Sequence, residues 1–404
     1  MKILRAFRYR NYRLFFAGQF VSLTGTWVQT IAVSWLTYRL TNSAFLLGLV
    51  AFAGQIPIFI LTPFGGVLAD NFSRRRLLVI TQTFAMLQAV LLAVLSLRGV
   101  VTVWHLVVLN IFLGIVNAFD IPIRQAFVVE MVEGRKDLGN AIALNSFMFN
   151  GARLIGPSMA GILIALVGEG ICFSINAVSF IAVIFALLAM RLKPSGQLQK
   201  GSRILKGLKE GFVYTFGLPH MRYILLLTTL LSIMGMSYVI MMPIIAKDIL
   251  GGGARTLGFL MAAAGFGALI GALYLASRKG TAGLEKVISV ATLIFGTGLM
   301  AFSFSRYLWL SLIFIMFSGF GMMIQTVASN TVLQHLTDDD KRGRVMSFYA
   351  MAFMGMAPFG SLLAGSLASR IGAPHALLVS GIACIFGAVI FSRMISLIPI
   401  SSPK

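Results

Sequence analysis

The sequence predicts an all-α integral membrane protein, with twelve transmembrane helices in two pseudo-symmetric six-helix bundles. Three observations lead there. Of 404 residues, 58% are hydrophobic and 11% charged, about half the charged fraction usual in a water-soluble domain. Twelve apolar runs follow one another, and a dozen spans of ~20 residues would use about 240 positions. The Lys and Arg residues, which give a net charge of +21, gather in alternate gaps between the runs, as the positive-inside rule requires. This composition excludes a soluble enzyme. It also argues against a nucleic-acid partner, because the cations lie in short gaps instead of covering one face of a folded domain; there they meet anionic headgroups, which makes membrane lipids the expected contact.

The elements follow in chain order. Residues 1–13 carry Lys2, Arg5, Arg8, Arg10 and Arg13 and run into a hydrophobic stretch too long for a signal-peptide core, so 14–38 reads as an uncleaved first span entered from the cytoplasm. The weakly marked gap Leu40 to Ser43 precedes a second run at 44–69. The next four lie at 77–97, 104–128, 140–167 and 170–190. A second set occupies 221–246, 256–277, 286–304, 307–331, 344–368 and 374–396. The long gap divides the chain into a cytoplasmic segment 1–13, an N-terminal bundle 14–191, a central cytoplasmic loop 192–219, a C-terminal bundle 220–396 and a tail 397–404. Within the loop, Ile204, Leu205, Leu208, Phe212 and Phe216 recur at helical spacing beside basic residues. They suit a short amphipathic helix on the inner membrane surface, or a plain basic linker.

Counted from a cytoplasmic N-terminus, 25 of the 33 Lys and Arg residues fall in inner segments. Six are outer (Arg39, Arg98, Lys247, Arg255, Arg306 and Arg370), and Arg124 and Arg153 lie within spans. This bias sets both termini in the cytoplasm. A shift of 204 positions aligns Gly139 with Gly343, Gly156 with Gly360, Gly161 with Gly365 and Gly168 with Gly372. It also aligns the charged loops Glu130 to Asp137 and Gln334 to Lys341. A duplicated six-span unit accounts for both, and such repeats usually enclose a substrate path.

The gap after the second span reads Gly65-Gly66-Val67-Leu68-Ala69-Asp70-Asn71-Phe72-Ser73-Arg74-Arg75-Arg76. An acid at a span end followed by arginines can pair at the interface or cap a neighbouring helix, and so latch one conformation. Here the chain resembles the major facilitator superfamily, whose loop between spans two and three reads G-x-L-A-D-R-x-G-R-R. Gly66, Leu68, Ala69, Asp70, Arg74 and Arg75 match, while Asn71 and Ser73 replace the family's Arg and Gly. The resemblance implies a latch role for Gly66, Asp70, Arg74 and Arg75. In the fifth span, Ala152-x3-Gly156-Pro157-x2-Ala160-Gly161 resembles a relaxed antiporter signature, G-x3-G-P-x2-G-G. Small residues there allow close helix approach and the proline allows bending; the same residues also suit packing alone. The R-x-x-Q-G pattern of drug/proton antiporters is replaced in the fourth span by Asn110, Leu113 and Gly114.

Charge lies deeper in that span. Asn110, Asn117, Asp120 and Arg124 form a polar stripe, with Asp120 and Arg124 four residues apart on one face. Ser146, Asn150, Arg153 and Pro157 form another in the fifth span. Unpaired ions in a span are costly, so Asp120, Arg124 and Arg153 are expected to meet one another or a water-filled cavity. A carboxylate beside an arginine can exchange its proton for substrate, the minimum an antiporter needs; a static salt bridge is the alternative. Gln19, Ser22, Thr26 and Gln29 line one face of the first span. With Asn117, Asn150 and Gln325, the residues Gln19, Thr26 and Gln29 are the candidate substrate-cavity positions; the polar face of the first span suits ordinary interhelix contacts equally well. Fifteen of 21 methionines follow residue 220, a composition suited to a permissive apolar wall or to lipid contact. Cys172 and Cys384 sit in apolar runs, and the histidines are not at metal-ligand spacing, so neither a disulfide framework, a metal nor a cofactor is expected.

The stretch Phe7 to Arg13 and the stretch Asn140 to Gly161 are similar to the bacterial exporter branch of the superfamily that includes enterobactin and macrolide exporters. That likeness implies a monomeric exporter of the bacterial cytoplasmic membrane, not an enzyme, working by alternating access and exchanging protons for a small amphipathic substrate. Bulky drug-like compounds are the leading cargo, with siderophores or lipids and lysolipids as alternatives.

Overall fold

A computed structural model describes residues 5–132, 135–191, 212–236, 238–278, 280, 283–338 and 341–397. Among them there are only helices and turns. α1 is Arg10–Thr41, α2 Ala44–Asn71, α3 Arg74–Leu97 and α4 Val103–Phe127. A helical run, Arg135–Ala189, is broken at Gly168 into α5 (135–167) and α6 (169–189). α7 covers Pro219–Ile249 and contains two π-helical turns, Leu231–Gly235 and Ile245–Ile249. α8 is Ala254–Ser277, α9 Leu284–Phe304, α10 Leu308–Leu336, α11 Arg342–Ile371 and α12 Ala373–Ser396. The spans expected from sequence lie inside these helices, give or take a terminal residue. Of the expected loop helix, Phe212 and Phe216 lie on a short helix, 212–217, with their rings stacked 4.5 Å apart; Ile204, Leu205 and Leu208 lie outside the described residues.

Local chemistry explains the boundaries. Asn42 takes up the left-handed conformation (φ 48°) that ends α1 and returns its N–H to the Tyr38 carbonyl. Thr102 caps α4 and exchanges hydrogen bonds with His105. Among the described residues ten helical stretches are long and apolar enough to cross a membrane, one of them the double-length α5–α6 run. α1 is not among them, because Gln19, Ser22, Thr26 and Gln29 lower its hydropathy while facing inward: Gln19, Ser22 and Gln29 are all buried.

The chain forms two compact units. The first comprises Met1–Asn42, Ala53–Lys200 and Gly253–Gly258; the second comprises Ser43–Phe52, Gly201–Gly252 and Phe259–Lys404. The first turns of α2 thus group with the second unit and the first turn of α8 with the first. In the first unit α1 and α3 pack against the α5–α6 run, and α3 also packs on α4. Its core is built from Phe15, Leu78, Phe127, Met148, Phe180 and Val183. In the second unit α9 packs on α10 and α12. The outward residues of the first unit include Ile60, Trp104, Val108, Leu166, Val178 and Phe185, an apolar surface matched to lipid rather than water.

The glycines aligned by the 204-residue shift have matching environments. Gly168 (φ 80°, ψ 171°) and Gly372 (φ 82°, ψ 152°) adopt the same backbone, closed to side chains, between the fifth and sixth helices of each set. A Cβ on Gly156 would meet Trp27 Cβ of α1 at 2.4 Å, and one on Gly360 would meet the Ile233 carbonyl oxygen of α7 at 2.6 Å. Gly139 and Gly343 have nothing within 4 Å of that position. Such correspondence in three pairs reflects a duplicated unit.

A second correspondence joins the start of each set to its fourth-to-fifth connection. The Tyr9 hydroxyl donates to Asp137 Oδ2 at 3.0 Å, and Arg8 pairs with the same carboxylate while lying over the Tyr9 ring at 4.9 Å. In the second set the Tyr214 hydroxyl donates to Asp338 Oδ2 at 3.0 Å, and Lys341 pairs with it at 3.2 Å while lying 4.3 Å over the Tyr214 ring. The two clasps differ in exposure, with Asp137 buried and Asp338 exposed. Asp137→Ala should therefore lower the thermal unfolding temperature in detergent, because it removes a buried carboxylate that accepts from the part-buried Tyr9 hydroxyl, whereas Asp338→Ala should leave it unchanged. The Tyr214 hydrogen bond, then Lys341, hold the Asp338 carboxyl below its ordinary range. What it contributes is present at neutral pH and is lost as pH falls through that lowered value.

Candidate functional site

The stripe read on α4 continues on α3. The buried face of α3 is Leu78, Thr81, Gln82, Ala85, Gln88, Ala89 and Leu92, a helical repeat in which three positions are polar. This face meets Asp120, which is 3% exposed. Thr81 Oγ1 donates to Asp120 Oδ1 at 2.8 Å and Gln82 Nε2 donates to the same oxygen at 2.7 Å. Arg124, one turn further along α4, pairs with the other oxygen, Nε to Oδ2 3.4 Å. The carboxylate thus has a neutral donor pair on one oxygen and a cation on the other, the arrangement that stabilises its charge away from water.

Beside it lies a cavity of about 50 Å³, lined by Gln19, Thr26, Gln29, Asn117, Asp120 and Arg124 among others. Its only ionisable lining residues are Asp120 and Arg124. That volume admits a few waters, while a drug-sized ligand takes roughly 300–1,000 Å³. Gln19, Thr26, Gln29 and Asn117, expected to line a substrate cavity, here line a polar chamber on the scale of water and protons. Gln29 is further committed: it accepts from Asn176 at 2.8 Å and donates to Gln88 at 2.9 Å, and Gln88 donates to the Leu109 carbonyl at 3.3 Å. This relay ties α1, α3, α4 and α6 together behind the chamber.

Arg153 is not part of this centre. It neither lines the chamber nor pairs with Asp120; its guanidinium lies 5.9 Å from the Trp27 ring. The juxtaposition of Asp120 and Arg153 expected from their depths is therefore corrected: Asp120 is met by Thr81 and Gln82 of α3 and by Arg124, and Arg153 by Trp27 of α1. Gly156 brings α5 against α1 at Trp27, and Gly161 packs on Gly258, where an added Cβ would meet the Gly258 Cα at 2.3 Å. Pro157 sits inside α5 without ending it.

Gly66 and Asp70 fall on α2 and Asn150 on α5; the side chains of Asp70 and Asn150 lie outside the described ones. Arg74 pairs with Glu130 at 3.0 Å and also reaches the Ala126 carbonyl at 3.4 Å, and Arg75 donates to the Leu188 carbonyl at 2.6 Å. Both arginines thus serve the carbonyl-rich ends of α4 and α6 within the first unit, where a cation complements the helix dipole. Gln325, buried in α10, donates to Ser329 at 3.1 Å. Thr81, Gln82, Gln88 and Asn176 were absent from the residues singled out by sequence. The stripe rule applied to α4 finds the first three when applied to α3.

Among the described residues no group of three or more His, Cys, Asp or Glu could hold a metal ion.

Comparison with known proteins bears on what this arrangement serves. Residues 3–401 match the family model described as transmembrane secretion effector. The chain is similar to the staphyloferrin A transporter of Staphylococcus aureus, 26% identical over 94% of this chain and 95% of that one. It is similar also to the multidrug efflux pump Tap of Mycolicibacterium fortuitum, 26% identical over 87% of this chain and 88% of that one. Among solved structures, a bacterial homologue of the human lysosomal transporter Spinster superposes with a TM-score of 0.76 at 14% identity, covering 96% of this chain and 97% of that one. At that identity the likeness speaks to fold. With twelve long helices among the described residues and a match along nearly the whole length, the chain belongs to the transmembrane secretion effector family of major facilitator superfamily transporters.

Proposed function

We propose that this transporter is a proton-coupled exporter of bulky amphipathic organic compounds, monomeric in the bacterial cytoplasmic membrane, with both termini inside and alternating access between two six-helix bundles. The observation that carries the coupling is the buried Asp120, held by Thr81, Gln82 and Arg124 beside a water-scale chamber. When ionised, the carboxylate accepts from all three. When protonated, it has one hydrogen to place, and both neutral partners can take it. Thr81 also lies 3.0 Å from the Leu78 carbonyl, so its hydroxyl can donate there and accept from Asp120. Gln82 Oε1 is buried and has no hydrogen-bond partner in the structure; rotating the amide presents this oxygen to the acid. A site that offers acceptors to the protonated acid as well as donors to the carboxylate lets a proton enter and leave with the acid hydrogen-bonded in both states.

A siderophore cargo is the second reading, supported by the likeness to the staphyloferrin A transporter. The test is purified protein in liposomes under an imposed pH gradient, following fluorescent amphiphiles of both charges and a siderophore alongside proton flux. Substrate movement that depends on both protein and gradient supports the proposal. If folded protein moves neither cargo nor protons, proton-coupled export of these classes is ruled out. Gln82→Met, similar in size but unable to donate or accept, should slow gradient-driven exchange about tenfold, the weight of one hydrogen bond to a charged group. An unchanged rate would remove Gln82 from the coupling.

A further inference from the structure

The charges buried at membrane depth do not balance. The spans of the second half hold no Asp, Glu, Lys or Arg away from their ends, and those of the first hold Asp120, Arg124 and Arg153. Asp120 is committed to Arg124, Thr81 and Gln82. Among the described residues Arg153 has no carboxylate within 4.0 Å, although it lies near the middle of α5 and is partly buried. A guanidinium keeps its charge at any accessible pH, and an unpaired one at this depth is expensive unless water or a ligand meets it.

Its surroundings are aromatic. The Trp27 ring lies under the guanidinium at 5.9 Å, and its Cβ is set by the close approach of Gly156. Phe149, one turn before Arg153, packs edge-on to Trp27 with ring centres 6.4 Å apart and an interplanar angle of 72°. Phe149 is 37% exposed, so the wall has an accessible apolar side. Ser146, two turns before Arg153 on the same face of α5, is also exposed.

We propose that Arg153, Trp27 and Phe149 form a subsite for an amphipathic anion, and that the cargo carries a carboxylate or a similar negative group beside an apolar or aromatic body. This rests on the transporter reading above and narrows its substrate class from amphipathic compounds in general to anionic ones. The cargo's negative group neutralises the cation that, among the described residues, is left without a carboxylate at depth, and its apolar body lies on the two rings. A lipophilic cation would meet like charge at the same place.

The test is equilibrium binding to the purified full-length chain in detergent, using two probes with the same dansyl-labelled alkyl body, one ending in a carboxylate and the other in a trimethylammonium group. The native protein should bind the carboxylate probe at least about tenfold more tightly. Arg153→Gln should lose that margin by weakening the carboxylate probe alone, and Arg153→Lys should keep part of it. Should Arg153→Gln not fold, the native preference and its reduction in Arg153→Lys decide the matter. Equal binding of the two probes by the native chain, preference for the ammonium, binding of neither, or a loss common to both probes in Arg153→Gln would each overturn the subsite. The assay needs no gradient, so anion preference retained in Asp120→Asn keeps this inference apart from the coupling. A carboxylate preference without gradient-driven movement in liposomes would defeat the coupling and leave the subsite standing.

Discussion

Asp120→Asn is expected to reduce gradient-driven movement of substrate to background while leaving a folded protein. Asparagine has nearly the shape of aspartate, and its Oδ1 can still accept from Thr81 and Gln82, which now sit 2.8 and 2.7 Å from the carboxylate oxygen. What disappears is the ability to take up and release a proton. The chain offers no replacement nearby, since Arg124 is the only other ionisable residue lining the chamber. Arg124 loses its counter-charge, and with its side chain 15% exposed that loss should cost about 1–3 kcal/mol, less than breaking a fully dry ion pair. Two measurements separate chemistry from damage: flux driven by a pH gradient, and exchange of labelled for unlabelled substrate with no gradient. Loss of the first with retention of the second is the expected result. Gradient-driven flux at the native rate in Asp120→Asn would remove Asp120 from the coupling.

What could be read from the sequence, and what could not, follows from how many helices a feature involves. Span positions and the acid–base pair of α4 depend on one helix at a time: hydropathy finds the span, and a spacing of four puts Asp120 and Arg124 on one face. The break at Gly168 recurs at Gly372 because both positions demand a backbone only glycine adopts readily, so the repeat was legible as a repeat of glycines. The partner of Asp120 was not legible in the same way. Choosing between Arg153 and the α3 pair requires the rotation of three helices about their axes, which equal depths along the membrane normal do not determine. Neutral residues such as Thr81 and Gln82 also carry a weaker signal than a charge in an apolar run. The clasps at Asp137 and Asp338 went unread for a related reason, since each joins segments more than 120 residues apart.

Gly319→Val is expected to be the most destabilising single substitution considered, for reasons confined to the second unit. α8 and α10 approach through glycine on both sides. A Cβ built on Gly319 would stand 1.9 Å from the Ala264 carbonyl oxygen, and one on Gly267 would stand 1.9 Å from that of Met316. The obstructing atoms are backbone, so no side chain can swing away and the helices must move apart. Within a membrane this costs more than local strain, because helix association depends on close van der Waals contact and small residues at the seam, with no hydrophobic drive to restore it. Overpacking a fitted core costs about 1–3 kcal/mol, and a clash against main chain from both sides should reach or pass the upper end. Thermal unfolding in detergent should fall by about 5 °C or more in Gly319→Val, and by a smaller amount in Gly319→Ala. Gly343→Ala supplies the opposite sign. Its Cβ would meet nothing within 4 Å, it lies in the helix opening α11, and alanine there should raise stability by about 0.5–1 kcal/mol through helix propensity alone. If Gly319→Ala and Gly343→Ala unfold at the same temperature, the close seam between α8 and α10 is not what holds this part of the unit together.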